Sequence, residues 1–474
     1  MKKSNRVYSV LLASACLFSA SLYAAQDMAS KSAALGKKEK KQVVTRIIDE
    51  LKAGYVFPDK AELMGRHLKK WLRKKSFQEI TEPEDFAKKI TAELHSVFSD
   101  RHLRVRVREP QRVRRQEGDP ILDGYLQQLT LKERNYEFRT AKILDDNVGY
   151  LDFRVFFSPG IGKKTLAAAM AFLENTDAMI IDMRNNRGGS PAMVQLVCSY
   201  FFDKKVHLNS LYWRRGDRTE EYWTLQEIDG KKRPHVPLFV LTSKRTFSGA
   251  EEFCYNLLTR ERATLIGEIT GGGANPGGVR FINDRFAVFI PTGRAINPVT
   301  QTNWEGTGVK PHIIVDQEKA YDVAYEKAKA AAKDFKQKQM ALAKQQAKGM
   351  SDALSEAARY YQQNQVEKGR KILFEAFARG LENHVLNEGL INRLGYNFME
   401  QRKIDLAIGL FTFNVQSFTE SSNAFDSLGE AYGEKGDFQS AIENYKKSYE
   451  LDGNNQNALK MIENFKNKLA GKKK

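Results

Sequence analysis

Apolar positions recur at three- and four-residue intervals in VVTRIIDELKAGYV and PEDFAKKITAELHSVF. That period sets one side of an α-helix against a core. The pattern changes at SDRHLRVRVREP. There Leu103, Val105 and Val107 alternate with His102, Arg104, Arg106 and Arg108, which predicts a strand with one packed face and one basic face. Residues 27–130 are therefore expected to form a helical N-terminal domain leading into a strand. From 131 to 318, short apolar runs such as AMIIDMR, VPLFVLTS and ATLIGEIT alternate with helical stretches such as KKTLAAAMAFLEN and AEEFCYNLLTRE. Strands and helices alternating at this spacing predict an α/β domain with parallel pairing.

The C-terminal third follows a different rule. Residues 319–370 read as a charged helical connector. Within 371–474, Leu394-Gly395 recurs as Leu428-Gly429, Ala407 as Ala441, and Asn423-Ala424 as Asn457-Ala458, each 34 residues on. Small and aromatic residues at that spacing predict a tetratricopeptide-like helical module. It would cap the α/β domain or hold a protein partner. At the other end, Lys2, Lys3 and Arg6 precede the apolar run VYSVLLASACLFSASLYAA. Residues 1–25 are expected to be a secretory signal, cut after Ala24 or Ala25. The competing readings are an uncleaved anchor, or a lipoprotein using Cys16, where Ala13 stands in place of the expected leucine.

Composition narrows the classes. With 42% hydrophobic and 28% charged residues in 474, wholesale disorder, a collagen-like fibre and a polytopic membrane protein are excluded. Three cysteines, at 16, 198 and 254, exclude a disulfide-built scaffold and a cysteine-rich zinc site. A bond between Cys198 and Cys254 stays open beside the favoured reading of two buried thiols. The formal charge of +18 favours acidic partners, anionic surfaces or nucleic acid. An exported destination, periplasm or cell envelope, argues against nucleic acid and leaves peripheral association with the envelope.

Three punctuated sites suggest chemistry. DMRNNRGGSP follows the apolar run AMII, and its paired glycines permit a sharp turn with exposed N–H groups. In SKRTFSGAEEF, Ser248 opens a helix after VPLFVLT. Two readings stand for it. With Glu251 three positions on, it forms a capping box. Alternatively it is a nucleophile, with the Gly249 N–H and a donor from Gly188 or Gly189 facing a developing oxyanion. No GxSxG run is present, which disfavours an α/β-hydrolase elbow. A serine needs a base, and His102 is the best placed of seven histidines. Glu305, in the glycine-rich bend NWEGTGVKPHIIV, is positioned to orient its imidazole. The basic face Arg104, Arg106 and Arg108 is either a solvated strand face or a carboxylate-binding surface. No metal-ligand spacing such as HExxH occurs.

DMRNNRGG, TFSGAEEF, GEITGGGANPGG and NWEGTGVKPHIIV, in that order, resemble the S41 peptidases. The resemblance covers roughly 40–318 and is nearest to the tricorn-core and interphotoreceptor retinoid-binding protein branch. It implies a ClpP/crotonase-like spiral core and a serine endopeptidase acting on peptides or unfolded proteins without cofactor or metal. The lysine that serves the processing proteases falls at Gly273 here. The tricorn-like pattern instead matches Ser248 as nucleophile, His102 as base and Glu305 as its partner, with oxyanion donors at Gly249 and Gly188. About forty residues separate Pro110 from Gly149, too few for the usual inserted PDZ domain. Two rival functions remain: a catalytically inactive carrier of peptide or hydrophobic ligand on the same fold, and a scaffold acting through the repeats.

Overall fold

Two N-terminal helices begin with proline at their first turn, Pro58–Trp71 and Pro83–His95, where the missing N–H costs nothing. With Lys37–Gly54 they bury an apolar face that includes Val44, Ile47, Leu51, Leu68 and Phe86. The computed structural model describes residues 34–108 and 119–471. The expected signal, 1–25, lies outside the described residues. The chain divides into two units, one ending at Phe335 and the other beginning at Lys336.

In the first unit the strands are β1 (Arg104–Val107), β2 (Phe138–Leu144), β3 (Val148–Phe153), β4 (Ala178–Asp182), β5 (His207–Trp213), β6 (Arg218–Trp223), β7 (Leu238–Thr242), β8 (Thr264–Gly267), β9 (Gly277–Phe281), β10 (Phe286–Pro291), β11 (Gly293–Ile296) and β12 (Ile313–Ile314). The central sheet has the order β12-β8-β7-β4-β3-β2, parallel except for β2. Its inner strands read as continuous apolar runs because both faces are covered. Met179 and Ile181 of β4, with Leu238 and Val240 of β7, face one core. Their neighbours Ala178, Ile180, Phe239 and Leu241 face the other. Ala320, Ala324, Ala328 and Ala332 close that second face. They lie at four-residue steps on the helix Gln317–Gln362, and their small side chains let it lie close to the sheet. The expected connector at 319–370 thus begins as part of the core.

The expected spiral core is corrected by this topology. Strands that a ClpP/crotonase-like spiral would wind into repeated turns are divided here into the six-stranded sheet and two separate antiparallel sheets, β1-β10-β9 and β11-β5-β6. No crotonase-like spiral forms among the described residues. Between Arg108 and Val148 they hold the helix Pro120–Glu133, two short 3₁₀ turns and β2. Cys198 and Cys254 are buried and unbonded.

The second unit is all-helical, running through Val366–Glu382, Glu388–Glu400, Ile404–Ser417, Ser422–Lys435, Phe438–Leu451 and Gln456–Gly471. The 34-residue offset has a packing cause. A β-carbon at Gly395 would come 2.5 Å from the Phe411 ring, and one at Gly429 would come 2.9 Å from the Tyr445 ring. Each glycine receives an aromatic ring from the next helix, sixteen positions on.

Candidate active site

The parallel strands β4 and β7 end at the same edge of the sheet, where their following loops meet. After β7 the chain turns at Ser248 into the helix Gly249–Thr259. Ser248 adopts φ 56° and ψ −124°, a region disfavoured for a residue with a β-carbon and worth about 1–3 kcal/mol of strain. Ser248 and Glu251 meet in capping-box geometry, with the Ser248 N–H donating to Glu251 Oε2 at 2.9 Å. The Glu251 N–H, however, goes to the Ser248 carbonyl at 2.8 Å, and the side chain makes no cap bond. As a donor, the hydroxyl has no described acceptor.

Glycines make this approach of loops physically admissible. A β-carbon at Gly188, which has φ +88°, would lie 2.5 Å from the Gly249 nitrogen and 2.9 Å from Ser248 Cβ. The N–H of Gly188, expected as an oxyanion donor, donates here to Asn186 Oδ1 at 2.8 Å. Asn186, fully buried, fixes the loop by donating from Nδ2 to the Phe153 carbonyl at 2.8 Å. The neighbouring Gly189 nitrogen would be 3.0 Å from a β-carbon at Gly249. Among the described residues, the N–H groups of Gly189 and Gly249 have no acceptor.

His102 lies on the turn before β1 and shares with Ser248 a cavity of about 620 Å³. Its ring sits 4.6 Å from the Phe247 ring and 5.5 Å from that of Phe289, centre to centre. Burial, with Arg104 nearby, lowers its pKa to about 4. The imidazole is therefore neutral at pH 7. No hydrogen bond joins it to Ser248, and its Nδ1 is buried without a partner.

Glu305 stands by His102, as does a second carboxylate, Asp100. One ligating atom from each of these three side chains lies within 4.8 Å of the others. The carboxylate oxygens are already engaged. Glu305 Oε1 accepts the Arg101 N–H at 2.7 Å, and Oε2 accepts those of Ala274 and Asn275 at 2.6 and 3.2 Å. Asp100 Oδ2 accepts from Tyr55 Oη and Asn275 Nδ2, each at 2.9 Å, and Oδ1 accepts the His102 N–H at 3.1 Å. These donors explain the cluster without a cation. Burial, then Asp100, raises the Glu305 pKa to about 7; burial raises that of Asp100 as well.

Two family models match the chain: Peptidase family S41 over residues 147–315, and the N-terminal domain of S41 peptidases in eukaryotic IRBP over 24–138. The chain belongs to the S41 peptidase family. The matched family is one of serine peptidases. Among solved structures, this S41 chain is similar to a Bacteroides fragilis protein assigned to the S41 proteases, at 22% identity and TM-score 0.35, over 38% of this chain and 51% of that one. The match therefore spans about half of that protein's length. It is also similar to a Parabacteroides merdae protein assigned as a peptidase, at 18% identity and TM-score 0.41, over 60% and 90% of the two chains.

Within this S41 site, Gly273 is packed rather than vacant. A β-carbon there would lie 2.3 Å from the Phe247 ring and 2.7 Å from the His102 ring. The Phe247 and His102 rings together take the room that a side chain at this position would need. The S41 motifs led directly to Ser248, His102 and Glu305, but several positioning residues escaped notice. Glu251, read only as a cap, also accepts N–H bonds from Gly272 at 2.6 Å and Gly273 at 2.8 Å. Burial raises its pKa to about 7. Asp100, two residues before His102, and Asn186, inside DMRNNRGG, both stand in quoted motifs. Asn275 lies inside the GEITGGGANPGG run, and nothing in its spacing marks its side chain as a hydrogen-bond partner of Asp100.

Proposed function

We propose that the chain is an exported serine endopeptidase that cleaves peptide bonds by acyl transfer. One observation carries this reading. Ser248 is held in a strained turn at a helix start, its hydroxyl donating to no described acceptor, and it lines the same cavity as a neutral histidine. Ser248 Oγ attacks the carbonyl carbon while His102 accepts its proton. The burial that keeps His102 neutral opposes the imidazolium formed in that step. Ionised Glu305, backed by Asp100, offsets the new charge. The Gly249 and Gly189 N–H groups stabilise the oxyanion. His102 then returns the proton to the leaving amine, and water releases the acyl group.

The unpartnered Nδ1 of His102 favours a second reading, a peptide-binding protein whose triad does not close. A serine-directed fluorophosphonate separates the two. Mass spectrometry is expected to find the adduct on Ser248 of the wild type and none on folded Ser248→Ala. Peptide binding with neither labelling nor hydrolysis would overturn the peptidase reading. The proposal includes a periplasmic or envelope location and a protein partner for the 34-residue repeats. Both rest on the sequence. Intact mass of protein recovered from the cell envelope tests the first: it is expected to lack the leading 24 or 25 residues. Retention of Met1 in every molecule overturns it.

A further inference from the structure

The cavity that holds Ser248 and His102 is lined by six cations, Arg101, Arg104, Arg106, Arg187, Lys244 and Arg245, and by no carboxylate. Two of them are engaged elsewhere. Lys244 pairs with Glu268 at 3.3 Å, and Arg245 donates to Gln317 Oε1 at 3.0 Å. The other four have no carboxylate partner among the described residues. Arg104 donates from Nε to the Arg101 carbonyl at 3.0 Å, a contact that leaves its charge unbalanced. Its pKa is lowered by burial and by the neighbouring charges of Arg106 and Arg101. Elsewhere the fold pairs such groups: Arg184, for example, forks onto Asp182 at 2.6–3.1 Å.

The arrangement follows from strand register. Arg104 pairs with Phe289 and Arg106 with Ala287, while Val279 on β9 pairs with Phe289. Side chains two apart share a face, so two guanidinium groups stand over an apolar floor beside the serine. Arg108, expected on the same face, does not line this cavity. It donates to the Asn283 carbonyl at 2.9 Å and lies 4.4 Å from the centre of the Phe281 ring. Guanidinium groups match carboxylates in geometry as well as charge. The apolar floor suits the methylene groups that carry them.

We propose that this cleft selects polypeptides bearing Asp or Glu side chains beside the scissile bond, with Arg104 and Arg106 as specificity determinants. This deepens the peptidase reading and rests on it for the scissile bond. The charge selection itself is read by binding alone, so the two fail separately. The probe is a short N-acetylated, C-amidated peptide with alternating glutamate and alanine, compared with its glutamine isostere by fluorescence anisotropy on Ser248→Ala protein. The glutamate peptide is expected to bind at least roughly tenfold more tightly at low salt, with the margin shrinking as salt rises. Arg104→Gln with Arg106→Gln should collapse that ratio. Arg104→Glu with Arg106→Glu should turn the preference toward a lysine peptide, a gain that damage to the fold does not produce. Equal binding of the glutamate and glutamine peptides overturns the proposal, as does failure of both to bind. A preference that appears only with a free terminal carboxylate overturns it in favour of chain-end recognition. Tighter binding of a single-stranded oligonucleotide than of the glutamate peptide overturns it in favour of a nucleic-acid surface.

Discussion

The two units use glycine in opposite ways. Around Ser248, glycines bring backbone against backbone: a β-carbon at Gly189 would meet the Phe156 carbonyl oxygen at 2.2 Å, and φ there is +144°. In the helical unit, Gly395 and Gly429 receive aromatic rings instead. The Phe156 carbonyl, fixed by the Ser190 N–H at 2.7 Å, cannot step aside, whereas a side-chain ring, even a buried one such as Phe411 or Tyr445, can shift about its χ angles. The first region holds strain in place around a chemical group, and the second relaxes into a repeating contact. Buried carboxylates with raised pKa follow the same division. Glu251, Glu252 and Glu305 all belong to the first unit.

The largest expected effect concerns chemistry. Ser248→Ala should reduce peptide hydrolysis by on the order of 10³-fold or more, measured with purified protein whose circular dichroism is unchanged. Next is the glycine contrast itself. Gly189→Ala should cost about 3–5 kcal/mol in denaturant unfolding, from backbone conflict and positive φ together. Gly429→Ala should cost only about 1 kcal/mol, since overpacking is partly offset by helix propensity. Equal costs would break the contrast. Ser248→Gly should stabilise the first unit by about 1 kcal/mol by removing the strained β-carbon, seen as slower hydrogen exchange around the turn. An unchanged or faster exchange rate would mean that the turn stores no strain.

Acidity sharpens the comparison further. The Glu305 pKa of about 7 predicts an acylation rate that rises with pH through about 7, as the carboxylate becomes able to support the imidazolium. Glu305→Gln should flatten that limb and lower its plateau. Glu252 has a raised pKa of about 8 through burial. A raised folded-state value means stability that is full below about 4.5 and lost as pH rises through about 8. Glu252→Gln should therefore match the wild type at acid pH and melt at a higher temperature than it above pH 8. His102, lowered to about 4, acts in the opposite sense. Its contribution is full above about 6.5 and is lost as pH falls through about 4.

What the sequence revealed divides along the same line. Alternating apolar runs, the period-two face of β1 and the 34-residue repeat are local regularities, and they were legible. The sheet topology was not, and the expected spiral failed, because pairing order among the twelve described strands depends on contacts that no local period encodes. Ser248 was legible through its neighbours, yet its φ was hidden, since serine has no sequence mark for a strained turn. The choice of Gly189 over Gly188 as free donor depends on the Asn186 side chain, two residues away but visible only once the loop is folded. Pairing of Asp100 with Asn275 across 175 positions had no local signature at all.

The crowding at Gly273 also limits how the site can change. A lysine there and a histidine at 102 compete for one volume, since even a β-carbon meets both His102 and Phe247. Any residue larger than glycine at 273 therefore requires both rings to move, so a side chain can enter that position only together with changes at 102 and 247, and no single substitution there leaves the surrounding packing intact.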